Sequence, residues 1–394
     1  MKKLVLSLSL FLLFCSGCET RAEIDDMALV MAVGLDKGED DKITVTTQIA
    51  RPGDVRGQGG SGGGTGEPIW TATGEGDTIF EAIRNVARFS SRRVYWGHNI
   101  IIVVSEEVAK EGIVDLIDFF SRNNELRMRT WVVVTEKKAS EIVAMKTGLE
   151  VVPGVSLDQL FRYSPILSEA PNTDMMTLSK SYLGENIHPY LALVHIRDRG
   201  VDPTKPKEFG SIPQVELFGT AVFRDDKMVG KLGPRESRGM LWFVEKVGNA
   251  IIPVPCPNGD GKASIELKHN QFNIDPIYEH GKARFDVEIV SDLDLVELGC
   301  PIKQDITDVM KKLEEGVIKH LEQDIEAMLE MVQKEYKVDV IRLGRTFREK
   351  YPQHWNEIKD DWDELFPDVE VNVNITVHLN NPQLLEKPTR PSKE

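Results

Sequence analysis

Positive charge is what this sequence has too little of. Lysine and arginine number 48 against 63 aspartates and glutamates, a formal net charge of −15 over 394 residues. Such a surface repels phosphate backbones, which argues against nucleic acid as a partner. Cysteine is scarce, with 4 residues; neither HExxH nor an EF-hand loop occurs, and the one CxxC, Cys15-Ser16-Gly17-Cys18, lies at the end of the apolar N-terminal run. The 8 histidines stand singly. No metal or cofactor is therefore implied. Long apolar runs are also missing. The longest, Leu4 to Phe14, is 11 residues, whereas a helix needs about 20 to cross a bilayer. A polytopic membrane protein is excluded. What is there is a globular balance, 41% hydrophobic and 28% charged, in a chain long enough for two to three domains.

Catalytic patterns are present only by accident of composition. Gly59-Gly60-Ser61-Gly62-Gly63 satisfies GxSxG, and Gly57 to Gly62 satisfies GxGxxG. Both chemistries need a strand before the loop and a helix after it. Here 7 of the 10 residues from 57 to 66 are glycine, which reads as a flexible loop over 53–67. Carboxylate pairs such as Asp25/Asp26, Glu106/Glu107 and Asp360/Asp361 are sequence neighbours. On a helix such neighbours diverge by about 100°, so spacing does not make them an acid/base pair. The sequence predicts a protein that is not an enzyme.

The N-terminus carries an address. Lys2 and Lys3 precede the apolar run, and Leu13-Phe14-Cys15-Ser16-Gly17-Cys18 ends on two small residues and a cysteine. This reads as a signal peptide over 1–17 whose last segment resembles a bacterial lipobox. Cys18 is then the first mature residue and the lipidation site. Each buried methylene of an attached chain contributes about 0.8 kcal/mol, so two or three chains hold an acidic body at a membrane without help from a basic patch. Cys256 and Cys300, each followed by proline, either form one disulfide in an oxidising compartment or stay unpaired at neighbouring strand ends. A bridge closing a loop of about 45 residues contributes about 4 kcal/mol in the chain-entropy treatment.

The mature chain alternates elements. Lys42–Ala50 and Ile69–Thr73 read as strands, the first half-buried, and Asp77–Ser90 as a helix with Ile79, Ile83, Val86 and Phe89 inward. Asn99–Ser105 and Thr130–Glu136 read as strands buried on both faces, separated by one helix over Glu106–Ser121 and followed by another over Lys138–Gly148. Asp158–Leu183 reads as an irregular helical region and Tyr190–Ile196 as a strand. Residues 18–200 thus form an N-terminal α/β region of one or two subdomains. Arg197–Pro213, rich in proline, glycine and charge, reads as a domain boundary. A C-terminal α+β domain over 214–381 follows, with short strands and then a long amphipathic helix over Lys303–Tyr336. Arg345–Phe366 reads as two helices divided at Pro352. From Val369 to Leu379 valine, isoleucine and leucine alternate with polar residues, which predicts a long strand with one dry face against which the helix packs. Residues 382–394 read as a disordered tail. The fold class expected is α+β, multi-domain, with mixed sheets and packed helices.

One polar-aromatic cluster stands out. Arg92, Arg93, Tyr95, Trp96 and His98 fall within seven positions before a buried strand. They read as a partner or ligand patch, or as a loop whose aromatics cap the core and whose arginines pair with nearby acids.

Taken in order, the lipobox, EIDDMALVMAVGLD, RRVYWGHNIIIVVSEEVAKEGIVDLIDFFSRNNELRMRTWVVVTE and HWNEIKDDWDELFPDVEVNVNITVHL resemble the C subunit of spore germinant receptors, the Ger(x)C family. The likeness covers about residues 18–382; the Gly-rich insert and the Phe14-Cys15 stretch depart from it. The resemblance implies a lipoprotein on the outer face of the spore inner membrane. It implies integral-membrane A and B subunits as partners, a response to small nutrient germinants, and three α+β domains without enzymatic activity. The only covalent addition implied is the diacylglyceryl and palmitate-type lipid on Cys18. The competing reading is a lipid-anchored solute-binding protein that captures the nutrient itself, through Arg92, Arg93, Tyr95 and Trp96.

Overall fold

The computed structural model describes residues 27–50, 69–145, 152–164, 168–201, 209–245, 247–257, 259, 261–300 and 305–380. The leader, Cys18, the Gly-rich loop and the tail lie outside the described residues.

The first sheet has nine strands: β1 (Met27–Lys37), β2 (Ile43–Ala50), β3 (Ile69–Gly76), β4 (Arg93–Tyr95), β5 (Ile101–Ser105), β6 (Trp131–Thr135), β7 (Tyr190–Val201), β8 (Phe209–Arg224) and β9 (Lys227–Leu232). Their order is β3-β2-β1-β5-β6-β7-β8-β9, with β4 beside the start of β1. β1, β5, β6 and β7 are parallel, and antiparallel strands flank them on both sides. Parallel strands need crossover helices, which cover both faces. This is why β5 and β6 are nearly continuous runs of valine and isoleucine. Ile102, Val104, Val132 and Val134 face one layer, made by α1 (Ile79–Ala87), α3 (Val114–Arg122) and α6 (Met175–Leu183). Ile101, Val103 and Val133 face the other, made by α4 (Ala139–Ala144) and α5 (Pro153–Tyr163). A short α2 (Glu106–Glu111) precedes α3.

The second sheet is β10 (Ile251–Pro255), β11 (Lys262–Glu279), β12 (Lys282–Leu298) and β13 (Glu370–Asn380), in that order. β11 and β12 form one long hairpin whose turn holds His280 at φ 53° and Gly281 at φ 78°, the left-handed pair that matches strand twist. β13 joins β12 in parallel. α8 (Ile306–Leu329) covers the sheet with Val309, Leu313, Val317, Leu321, Ile325 and Met328. Its ladder then widens to a π turn over Glu330–Glu335, so the α-helix ends before the expected Tyr336. α9 (Leu343–Lys350), α10 (Pro352–Ile358) and α11 (Trp362–Leu365) bring Phe347, Trp355 and Trp362 into the same core. Between the sheets lies α7 (Pro234–Val244), which approaches α8 closely: a Cβ on Gly239 would collide with the Asp324 carbonyl.

The sheet pairing crosses the expected domain boundary, and three expectations are corrected. Residues 209–232 belong to the first sheet. β7 and β8 pair antiparallel from Tyr190↔Val222 to Val201↔Phe209, so strands on both sides of the expected boundary share one sheet. The helix expected over Glu106–Ser121 is two, because Gly112 at φ 138° breaks it. Phe89 lies beyond α1 and is 54% exposed, meeting Trp70 edge-on. β2 is buried on both faces, where Gln48 accepts a hydrogen bond from the Gly154 amide at 3.0 Å.

Candidate functional site

α1 and α3 lie side by side on one face of the first sheet. Local chemistry fixes each of them. The Thr78 hydroxyl accepts from the Glu81 amide at 3.2 Å, and the Glu81 carboxylate accepts from the Asp77 amide at 2.9 Å. This reciprocal cap starts α1, and Ile79, Ala82, Ile83 and Val86 face the sheet. α3 begins where the Ile113 amide bonds the Asp226 carbonyl at 3.0 Å in the β8–β9 turn, and it buries Leu116, Ile117 and Phe120. Lining of the two grooves pairs start with start and end with end, so the helices run parallel.

At their C-terminal ends opens a groove of about 660 Å³ lined by four arginines, Arg84, Arg92, Arg93 and Arg122, and one carboxylate, Glu125. Arg93 pairs with Glu125 at 2.9 Å, Arg122 with Asp118 at 2.6 Å, and the Arg84 guanidinium stands 4.8 Å over the Phe80 ring. At the N-terminal ends a second groove, about 570 Å³, is lined by seven carboxylates and three cationic side chains. Phe80, Phe119 and Arg122 border both grooves.

Of the cluster expected from sequence, Arg92, Arg93 and Trp96 share the basic groove. Trp96 is its buried floor, 5% exposed. Tyr95 and His98 do not line it; their rings meet each other at 6.0 Å, tilted by 55°. β4, formed by Arg93–Tyr95, pairs with Met27–Leu29. Arg84, Arg122, Phe80 and Phe119 were not visible in sequence as partners of Arg92, because they come from helices that only the fold brings together. The signal available was the exposed phase of each helix, where Phe80 and Arg84 stand four residues apart.

The remaining buried charge holds the sheets together. Asp324 on α8, 1% exposed, receives Arg238 at 2.7 Å and Arg235 at 3.2 Å from α7. Asp339 accepts from the Leu343 and Gly344 amides and the Trp362 indole at 2.9, 2.7 and 3.0 Å. Burial raises its pKa. Burial also pushes Glu245 up to about 7, against one opposing hydrogen bond from the Asn172 amide at 2.9 Å and the charge of Arg342. Cys256 and Cys300 form a disulfide across the end of the β10–β12 region. Among the described residues no three His, Cys, Asp or Glu side chains assemble as a metal set, and no helix is long and apolar enough to cross a membrane.

These features define an α+β protein of two sheets with a polarised surface groove. Residues 20–196 match the family described as spore germination protein N-terminal domain, and residues 218–383 match spore germination B3/GerAC like, C-terminal. The chain belongs to this Ger(x)C family of spore germination proteins. Among its relatives in Bacillus subtilis (strain 168), spore germination protein KC is 26% identical over 95% of this chain and 94% of its own length. Spore germination protein B3 is 23% identical over 94% and 95%, and spore germination protein A3 is 26% identical over 96% and 97%. The crystal structure of the GerBC protein shares the fold, with a TM-score of 0.56 and 19% identity over 89% of this chain and 97% of that one.

Proposed function

We propose that this protein is the lipid-anchored C subunit of a nutrient germinant receptor, held on the outer face of the spore inner membrane by a diacylglyceryl group on Cys18. There it supports the assembly or signalling of integral-membrane A and B subunits and catalyses no reaction. The observation that carries this reading is the order along the chain. A lipobox ending at Cys18 directly precedes two germination-family domains that begin at residue 20 and end at residue 383. Eight residues separate Cys18 from Met27, the start of β1. Fully extended they reach about 30 Å, so β1 and its neighbour β4 stay near the bilayer, with Arg92 and Arg93 among the groups closest to membrane partners. Tethering raises the effective concentration of the body at those partners without any new contact.

The test is Cys18→Ala in sporulating cells, with export of the body verified. The proposal predicts loss of the germinant response while the body remains folded. A full response from exported, untethered protein would overturn it.

A further inference from the structure

The groove region has a property that neither a membrane contact nor core packing explains. Two large apolar side chains that line it are exposed, Phe80 at 51% and Val114 at 38%. Phe80 borders both grooves, whose ends differ in sign: Arg84, Arg92 and Arg93 with Glu125 line only one, seven carboxylates with Lys37 and Lys42 line only the other, and Arg122, paired with Asp118, borders both. Favourable helix-dipole interactions account for acids at the first turns and bases at the last. They do not account for an exposed Phe80 where the two grooves meet. Asp115 and Arg122 on α3 are seven residues apart, about 10 Å along the axis. That is about one screening length at physiological salt, so an approaching surface senses the two poles separately.

A pattern that changes sign about an apolar centre is complementary to its own two-fold image. We propose that the α1–α3 face is a self-association surface, and that its occupant is a second copy of this chain. The symmetry axis runs across the helices from Phe80 to Phe119. Each helix then meets its own counterpart antiparallel, the arginine pole of one copy lies on the acidic pole of the other, and Phe80 and Phe119 meet their equivalents in the centre. The contact is isologous and closes at two copies. An anionic lipid surface fits only one pole and is repelled by the other. Two nine-residue helices are each about 13 Å long. With their flanking loops they bury less per copy than the roughly 800 Å² of a stable interface. The dimer is therefore weak in solution, with a Kd of about 10 µM to 1 mM, and is favoured where copies are concentrated. This inference goes beyond the proposed receptor role and does not depend on it.

The test uses purified full-chain protein, with sedimentation followed up to about 1 mM. Wild type should show a reversible monomer–dimer equilibrium. Arg84→Glu with Arg122→Glu, and separately Asp115→Arg with Asp118→Arg, should each weaken it at least tenfold. Mixing the two variants in equal amounts should restore dimers to within about threefold of wild type, because each reversed pole then faces an opposite one. Circular dichroism verifies folding, and Phe80→Ser, a single exposed substitution, should weaken the dimer tenfold with all charges in place. A wild type that stays monomeric, variants that still dimerise, or a mixture that does not recover would each overturn the proposal. So would a full dimer in Phe80→Ser.

Discussion

Asp324 and Glu245 are two carboxylates placed between the sheets, and their surroundings give them opposite consequences. Asp324 is met by two guanidinium groups at hydrogen-bonding distance, and the Arg238 side chain is itself only 11% exposed. Removing one partner of a buried pair leaves the other charge uncompensated. Asp324→Ala is therefore expected to destabilise the protein by about 3–5 kcal/mol, read as a shift of the urea midpoint. Glu245 has no such partner in contact, and its pKa of about 7 lies above its ordinary 4.5. The folded state thus holds a proton that the unfolded chain releases. Stability is fullest below the ordinary value and falls as pH rises through 7, the whole cost standing above that. Glu245→Gln removes the titration. Its stability relative to wild type should be flat near pH 4 and should gain on the order of 2 kcal/mol by about pH 8. A difference that does not change with pH would mean that another group carries the cost.

At the level of elements, what could be read from sequence was what has one clean period. β13 alternates without interruption because one face is dry, and α8 shows a single stripe because it lies on that face. The distal halves of β11 and β12 escaped. From His269 to Asp275 the strand alternates between exposed and half-exposed residues, with a register shift between Leu267 and His269, so no dry face writes a pattern there. The hairpin of β7 and β8 escaped for a different reason. Its proline- and glycine-rich end has the composition of a linker, and only pairing shows that the chain returns to the same sheet. Two element-scale outcomes can be measured. The Cys256–Cys300 bridge joins positions 44 apart, so changing both to serine should lower stability by about 2–4 kcal/mol, with wild type in reductant falling by the same amount in thermal melts. Leu321, 1% exposed under the second sheet, should cost about 2–5 kcal/mol on change to alanine, and an effect under 1 kcal/mol would contradict the packing described.

For the whole molecule, the two sheets are joined by buried charge and by α7, while the polarised face lies on the far side of the first sheet's helical layer. Three of the five residues singled out in sequence, Arg92, Arg93 and Trp96, share the basic groove, while Tyr95, between them in sequence, does not line it. The others that complete it, Arg84 and Arg122, lie on helices whose closeness depends on β1 and β5 pairing in parallel. That pairing is a long-range event with no local signal. The proposed membrane orientation rests on a single covalent link at Cys18. The most direct measurement is the mass of the N-terminal peptide of the protein isolated from spores. The account predicts a peptide that starts at Cys18, carries a diacylglyceryl group and partitions with the membrane fraction. A peptide with a free thiol at Cys18, recovered from the aqueous fraction, would contradict it.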